Sequence, residues 1–226
     1  MKKTLFILFT FILLTSCTSQ KNKDSFIKAT SGRYLFNANE VLEIYFEDAI
    51  MHAKWRGNDD IELLKVNDSA FYMKELNEKM LFISKPKMHI ELAPKTEHKG
   101  VIYRFDKMEK GEKTPSEYFN DKEYDKALTA FKTIKEKDSL NPNVSERRLN
   151  TLAYRFLRNE EYDEAKELFK INMALYPNSS NVYDCMGDLY FSKKDTVNAI
   201  IYYKKALAIN PENRSSKARL NRLTKK

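Results

Sequence analysis

Two hydrophobic rhythms divide the chain. From about Ser31 to Met108, apolar residues come in short runs rich in Val, Ile, Tyr and Phe, broken by polar turns. Val41–Phe46 is followed, across a tight Glu47-Asp48 turn, by Ala49–Trp55; then come Ile61–Val66, Ala70–Met73, Met80–Ile83, Met88–Leu92 and Val101–Phe105. Runs this short, about 8–12 residues apart, predict an antiparallel sheet that curls or closes on itself. With Arg33–Phe36 added, about eight strands are expected, and the alternation in His89–Leu92 predicts one packed face and one wet face for most of them. After Pro115 the rhythm is that of amphipathic helices.

The helical rhythm has a period. With Gly187 at place 8 of a 34-residue frame, Tyr183, Met186, Tyr190, Ala199, Tyr203, Ala206 and Pro211 fall on places 4, 7, 11, 20, 24, 27 and 32. Small residues at 8, 20 and 27 let two antiparallel helices approach closely, large ones at 4, 11 and 24 fill the space between them, and proline at 32 ends the second helix. One period earlier, Leu149, Ala153, Phe156, Ala165, Phe169 and Pro177 take the same places, and only place 27 departs, with Asn172. Further back, Tyr124–Ala127 matches Tyr162–Ala165 and Phe131 matches Phe169, but Pro142 comes late and Pro115 stands where the first helix needs a small residue. The first copy therefore reads as a partial repeat with a short opening helix. The whole pattern resembles the tetratricopeptide repeat (TPR), whose hairpins cannot bury their apolar faces alone and must stack.

The expected fold class is α+β. A small antiparallel calycin-like β-barrel covers residues 30–110, and a TPR α-solenoid covers 111–226, with a partial repeat at 115–142, repeats at 146–179 and 180–213, and a capping helix at 213–225. The polar break Glu109–Thr114, with Gly111 and then Pro115, marks the boundary.

The N-terminus adds an address. Met1-Lys2-Lys3, an apolar run from Leu5 to Leu14, and Leu14-Thr15-Ser16-Cys17 describe a secretory signal peptide over residues 1–16, too short for a permanent span. Leu-Thr-Ser-Cys resembles the lipobox of bacterial lipoproteins, which implies that Cys17 is acylated, becomes the new N-terminus, and anchors the chain to the outer membrane of a Gram-negative envelope, on its periplasmic or surface face. Each buried methylene of such an anchor contributes about 0.8 kcal/mol. Residues 17–29 are expected to be a polar, flexible tether. With Cys17 committed to lipid, Cys185 has no disulfide partner and reads as a small core residue.

The net charge is +8, and after Glu212 there are only cations. Such a cluster could meet phosphate, but an exported chain seldom meets nucleic acid, and the last helix of a repeat array needs a polar outer face. Capping is the favoured reading, and nucleic acid is not an expected partner.

Candidate chemistry is sparse. Ser84-Lys85-Pro86-Lys87 matches the Ser-x-x-Lys of penicillin-binding enzymes, but that pairing needs a helix start, whereas here it follows a strand and contains a proline. His52, His89 and His98 lack metal-ligand spacing and read as exposed strand residues. There is no Gly-x-Ser-x-Gly elbow, and five glycines leave little room for a phosphate loop. No catalytic residue, metal site or cofactor is expected. Asp68-Ser69-Ala70, Asp138-Ser139-Leu140 and Asp195-Thr196-Val197 are similar to the O-glycosylation acceptor of some Gram-negative bacteria, although Asp with Ser or Thr is also what turns and helix caps select.

Leu168–Asp184, continued by Cys185-Met186-Gly187-Asp188, resembles the C-terminal TPR tail of bacterial class C β-lactamase-like serine hydrolases and esterases, and the segment opening Ser31-Gly-Arg-Tyr34 is similar to the small barrel before such tails. The hydrolase domain is missing, so the resemblance implies only an accessory role: positioning, oligomerisation or docking. In TPR arrays the groove is lined by places 2, 5, 9 and 12 of each first helix. Here these are Arg147, Asn150, Tyr154 and Leu157, then Asn181, Asp184, Asp188 and Phe191. That mixture suits hydrogen bonding to an extended protein or peptide backbone. The function implied is a non-catalytic, protein-binding lipoprotein. Small-ligand binding inside the barrel and service as the accessory subunit of an exported serine hydrolase are the alternatives.

Overall fold

The computed structural model describes residues 20–225, so Cys17 and the signal peptide lie outside the described residues. The described residues divide into two compact units, one made of residues 20–34 with 42–108, the other of 35–41 with 109–225.

The first unit carries most of a nearly closed antiparallel barrel. Its strands are β1 (Gly32–Asn37), β2 (Glu40–Glu47), β3 (Ile50–Trp55), β4 (Asn58–Glu62), β5 (Leu64–Asn67), β6 (Ala70–Met73), β7 (Glu78–Ile83), β8 (His89–Leu92) and β9 (Arg104–Lys107). Nine strands stand among the described residues, against the eight expected, in the order β4-β3-β2-β1-β9-β8-β7-β6-β5. The extra strand arises because the run 58–67 bends at the fully buried Leu63. Its first half pairs with β3 and its second with β6, so both ends of the sheet meet on one stretch of chain. The β2–β3 register pairs Glu47 with Ile50, so the turn residues are Asp48 and Ala49, both at positive φ, and not Glu47-Asp48. This is the backbone that a two-residue hairpin needs to match strand twist.

Alternate positions face inward. Leu42 and Ile44, Met51 and Ala53, Phe71 and Met73, Met80 and Phe82 are all buried. The expected tether is corrected over its described part. Asp24–Thr30 forms helix α1, and Phe26 stacks on Phe71 at 5.7 Å and meets Phe82 at 5.9 Å and Phe46 at 6.4 Å. Seven residues make a poor helix alone; the ring contacts, each about 0.5–1.5 kcal/mol beyond area burial, hold it. Residues 20–22 are also tied down, since Asn22 N donates to Ala49 O at 2.8 Å and Lys65 N to Gln20 Oε1 at 3.0 Å. These rings and aliphatic side chains occupy the interior in which the small-ligand alternative would need space.

The second unit is three helical hairpins and a last helix: α2 (Pro115–Asn120) with α3 (Tyr124–Lys137), α4 (Glu146–Arg158) with α5 (Tyr162–Leu175), α6 (Ser180–Ser192) with α7 (Thr196–Ile209), then α8 (Arg214–Thr224). Helix α2 starts with a full capping box between Thr114 and Glu117. All three hairpins turn the same way. Lys122, Glu160 and Lys194 have positive φ, and the next N–H in each reaches back to a carbonyl, Glu123 to Tyr118, Glu161 to Phe156 and Asp195 to Tyr190, at 2.9–3.0 Å. The period is kept from Glu160 to Lys194. Between the first two hairpins extra residues enter the loop after α3, where Pro142–Val144 forms a 3-10 turn, which is why Pro142 comes late. The small residues at the helix crossings, Ala127, Ala153, Ala165, Ala199 and Ala206, are fully buried with Phe169 and Tyr203 packed among them.

Candidate functional site

The first helices of the second and third hairpins face a cleft of ≈ 530 Å³ lined by Glu146, Arg147, Asn150, Thr151, Tyr154, Arg158, Asn181 and Cys185. Arg147, Thr151, Tyr154 and Arg158 recur at three- and four-residue steps and so stand on one face of α4. Of the groove residues expected from the repeat frame, the structure brings together Arg147, Asn150, Tyr154 and Asn181. Glu146, Thr151 and Arg158 were not named by the frame, although extending the Arg147–Tyr154 face by one turn reaches Arg158.

Polar contacts inside the helices shape this wall. Asn172, the residue that breaks the small-residue rule at place 27, is fully buried; its Nδ2 donates to Asn150 Oδ1 at 2.8 Å and to the Glu146 carbonyl at 3.1 Å. Asn150 is thereby held from behind, its oxygen used inside the protein and its amide nitrogen left for the cleft it lines. Asn181 Nδ2 donates to Glu146 Oε1 at 2.7 Å and ties the one carboxylate of the cleft across α4 and α6. Arg147 and Arg158 are exposed and enter no ion pair among the described residues, so the cleft is net positive.

Asp184 and Asp188 correct the expectation. Neither lines the cleft. Asp184 is buried and accepts from Ser216 Oγ of α8 at 2.5 Å; burial raises its carboxyl above the ordinary value. Asp188 accepts from Tyr154 OH at 2.9 Å and Tyr203 OH at 2.7 Å and pairs with Arg219 at 3.4 Å. Because α8 occupies the place of a further first helix, it covers the carboxylates that would otherwise face the groove. Leu157 is buried as well, and Phe191 lies beneath the guanidinium groups of Arg219 and Arg222 at 4.9 and 5.7 Å. Burial also raises the Tyr154 hydroxyl, assisted by Cys185 and Asp188, and pushes the Cys185 thiol up to about 12.

The short-run candidates sit as follows. Ser84–Lys87 lies in a bend after β7, without a helix to carry the Ser-x-x-Lys geometry. The histidines are not the exposed strand residues expected. His89 and His98 are buried, with Nε2 at 3.1 Å from Glu91 and 3.0 Å from Glu78 respectively, and His98 belongs to a 3-10 turn, Thr96–His98. His52 meets Asp60 at 2.7 Å. Among the described residues, no cluster of His, Cys, Asp or Glu could hold a metal ion. Ser69, Ser139 and Thr196 are all exposed. Asp138 accepts from Leu140 N at 3.1 Å and Asp195 caps α7 through Asn198 N, so these acids perform turn and cap roles.

Residues 180–213 match the tetratricopeptide repeat family. The matched span is α6 and α7 up to Asn213, which caps α8, the hairpin whose wording is most complete. No curated protein matches the chain at a significant level. Among solved structures, the chain is similar to the second TPR domain of human RPAP3 in complex with the HSP70 peptide SGPTIEEVD, at 19% identity over 50% of this chain and 90% of that one, TM-score 0.33. It is similar to the Arabidopsis OM64 TPR domain, at 17% identity over 49% and 88%, TM-score 0.33. A third is MamA from Desulfovibrio magneticus, at 19% identity over 48% and 59%, TM-score 0.32.

Proposed function

We propose that this protein is a non-catalytic lipoprotein of the bacterial envelope, anchored through acylated Cys17, whose TPR unit holds an extended segment of another protein. The observation that carries the reading is the α4–α6 cleft, with two unpaired guanidinium groups, Arg147 and Arg158, beside an Asn150 side chain whose carbonyl is already satisfied from within. An open polar cleft of this kind supplies hydrogen-bond donors to backbone carbonyls and carboxylates. It favours a partner segment with surplus acceptors.

The test is crosslinking in the native envelope with identification of the bound protein. Wild type is expected to capture a partner that the pair Arg147→Ala and Arg158→Ala loses, with an unchanged far-ultraviolet circular dichroism spectrum. Undiminished capture by that pair would remove the groove reading. Cys17→Ser is expected to release the chain from the membrane fraction; a chain that stays there unacylated would remove the anchor reading.

A further inference from the structure

The last hairpin differs from the others on its outward face. Val197 and Ile201 of α7 are 71% and 42% exposed. The corresponding places hold Asp163 and Glu167 in α5 and Asp125 and Thr129 in α3. Stacking of hairpins therefore does not require aliphatic residues there. Lys204 and Lys205 follow at three- and four-residue steps from Ile201, which puts them on the same face, and both are exposed. Among the described residues neither makes an ion pair.

Around this stripe the charge is one-sided. From Asp195, which caps α7, eight Lys and Arg residues stand against two acids, Asp195 and Glu212, a net charge of +6 where the whole chain carries +8. Helix α8 packs against α7, and its centre lies about one helix diameter away, roughly 10 Å, close to the Debye length of about 8 Å at physiological ionic strength. Its cations therefore reinforce the field over the stripe. Three of them are already engaged, Arg219 on Asp188, Arg222 over Phe191 and Lys217 on Glu212 at 3.2 Å, while Arg214 has no carboxylate partner among the described residues.

We infer that the outer face of α7, with α8 beside it, is a docking surface for an anionic lipid bilayer. A helix that shows aliphatic residues between lysines lies in the plane of the headgroups, its apolar side chains entering the acyl boundary and its lysines reaching phosphate through their apolar stems. A second copy of this chain fits less well. A two-fold interface on this stripe would gather Lys204 and Lys205 of both copies into one contact, and no acid on α7 answers them. This contact goes beyond the lipid anchor and the peptide cleft, because it uses different residues from both.

The test uses residues 18–226, which contain every described residue and lack the acylated cysteine. Co-sedimentation is measured with vesicles of phosphatidylcholine alone and of phosphatidylcholine mixed with phosphatidylglycerol. Binding is expected only to the mixed vesicles and is expected to fall as salt is raised. The pair Lys204→Gln and Lys205→Gln should lower the partition roughly 25-fold, about fivefold for each cation. The pair Val197→Ser and Ile201→Ser should lower it at every salt concentration by roughly tenfold or more, as buried methylenes are lost. Arg147→Ala with Arg158→Ala should leave it unchanged, which separates this surface from the peptide cleft. Equal binding to both kinds of vesicle, no binding to either, or wild-type partition of both α7 pairs with their circular dichroism intact would overturn the assignment. So would concentration-dependent self-association that the Val197→Ser and Ile201→Ser pair abolishes while vesicle binding persists.

Discussion

Gly187→Ala is the sharpest test of how the last hairpin is held. A methyl group at Gly187 would stand 2.6 Å from two ring carbons of Tyr203, about 1 Å inside ordinary carbon contact. Tyr203 cannot yield easily, being fully buried with its hydroxyl donating to Asp188 at 2.7 Å. Two opposed effects then decide the sign. Alanine favours a helix interior over glycine by about 1 kcal/mol. Overpacking costs about 1–3 kcal/mol, and disturbing a hydrogen bond to a charged group about 1.5–3 kcal/mol. The steric side wins, with a net loss of about 2–4 kcal/mol. Urea unfolding followed by circular dichroism measures this as a lower midpoint at unchanged slope. The cause is isolated by a double-mutant cycle with Tyr203→Leu. On the Tyr203→Leu background the ring is gone, and Gly187→Ala should be neutral or stabilising by up to about 1 kcal/mol. If Gly187→Ala in the wild-type background matched or exceeded wild-type stability, the close crossing of α6 and α7 at this glycine would be wrong.

Two further outcomes follow from buried groups. Burial raises the Asp184 carboxyl, with Asp188 adding to the rise and the hydroxyls of Ser216 and Ser215 and the charge of Arg219 opposing it. A folded acid raised above its unfolded value of 3.8 binds its proton more tightly when folded, so stability falls as pH rises from that value through the folded one. Asp184→Asn keeps an acceptor for Ser216 and should gain on wild type as pH rises over that window in a series of urea midpoints; a difference independent of pH would contradict the burial argument. Cys185, with its thiol pushed up to about 12 by burial, should resist iodoacetamide in the native protein at mildly alkaline pH and react promptly in urea; equal rates in the two states would mean that the thiol is exposed.

What the sequence determined by itself were the features with a local cause. The hairpin from Ser180 to Pro211 was legible because each helix crossing demands a small residue, and Gly187, Ala199 and Ala206 stand where Ala153 and Ala165 stand one period earlier. Period-two runs revealed the curled sheet for the same reason, since alternate side chains face alternate sides of a strand. Counting along helices whose register those crossings set also put Arg147, Asn150, Tyr154 and Asn181 on one side, where they line a common cleft.

The tertiary structure decided whatever depends on residues far apart in the chain. Nothing near Phe26 announces that three rings from β2, β6 and β7 await it, so residues 24–30 read as a tether although they form a helix against the barrel. The bend at Leu63 that splits one expected strand into two depends on partners at both ends of the sheet. Asp184 and Asp188 hold groove places by counting, yet Ser216 and Arg219, more than thirty residues later, turn them inward. A polar side chain's role is set by what meets it, and for these two carboxylates that is the last helix, which a repeat frame written for the hairpins alone does not contain.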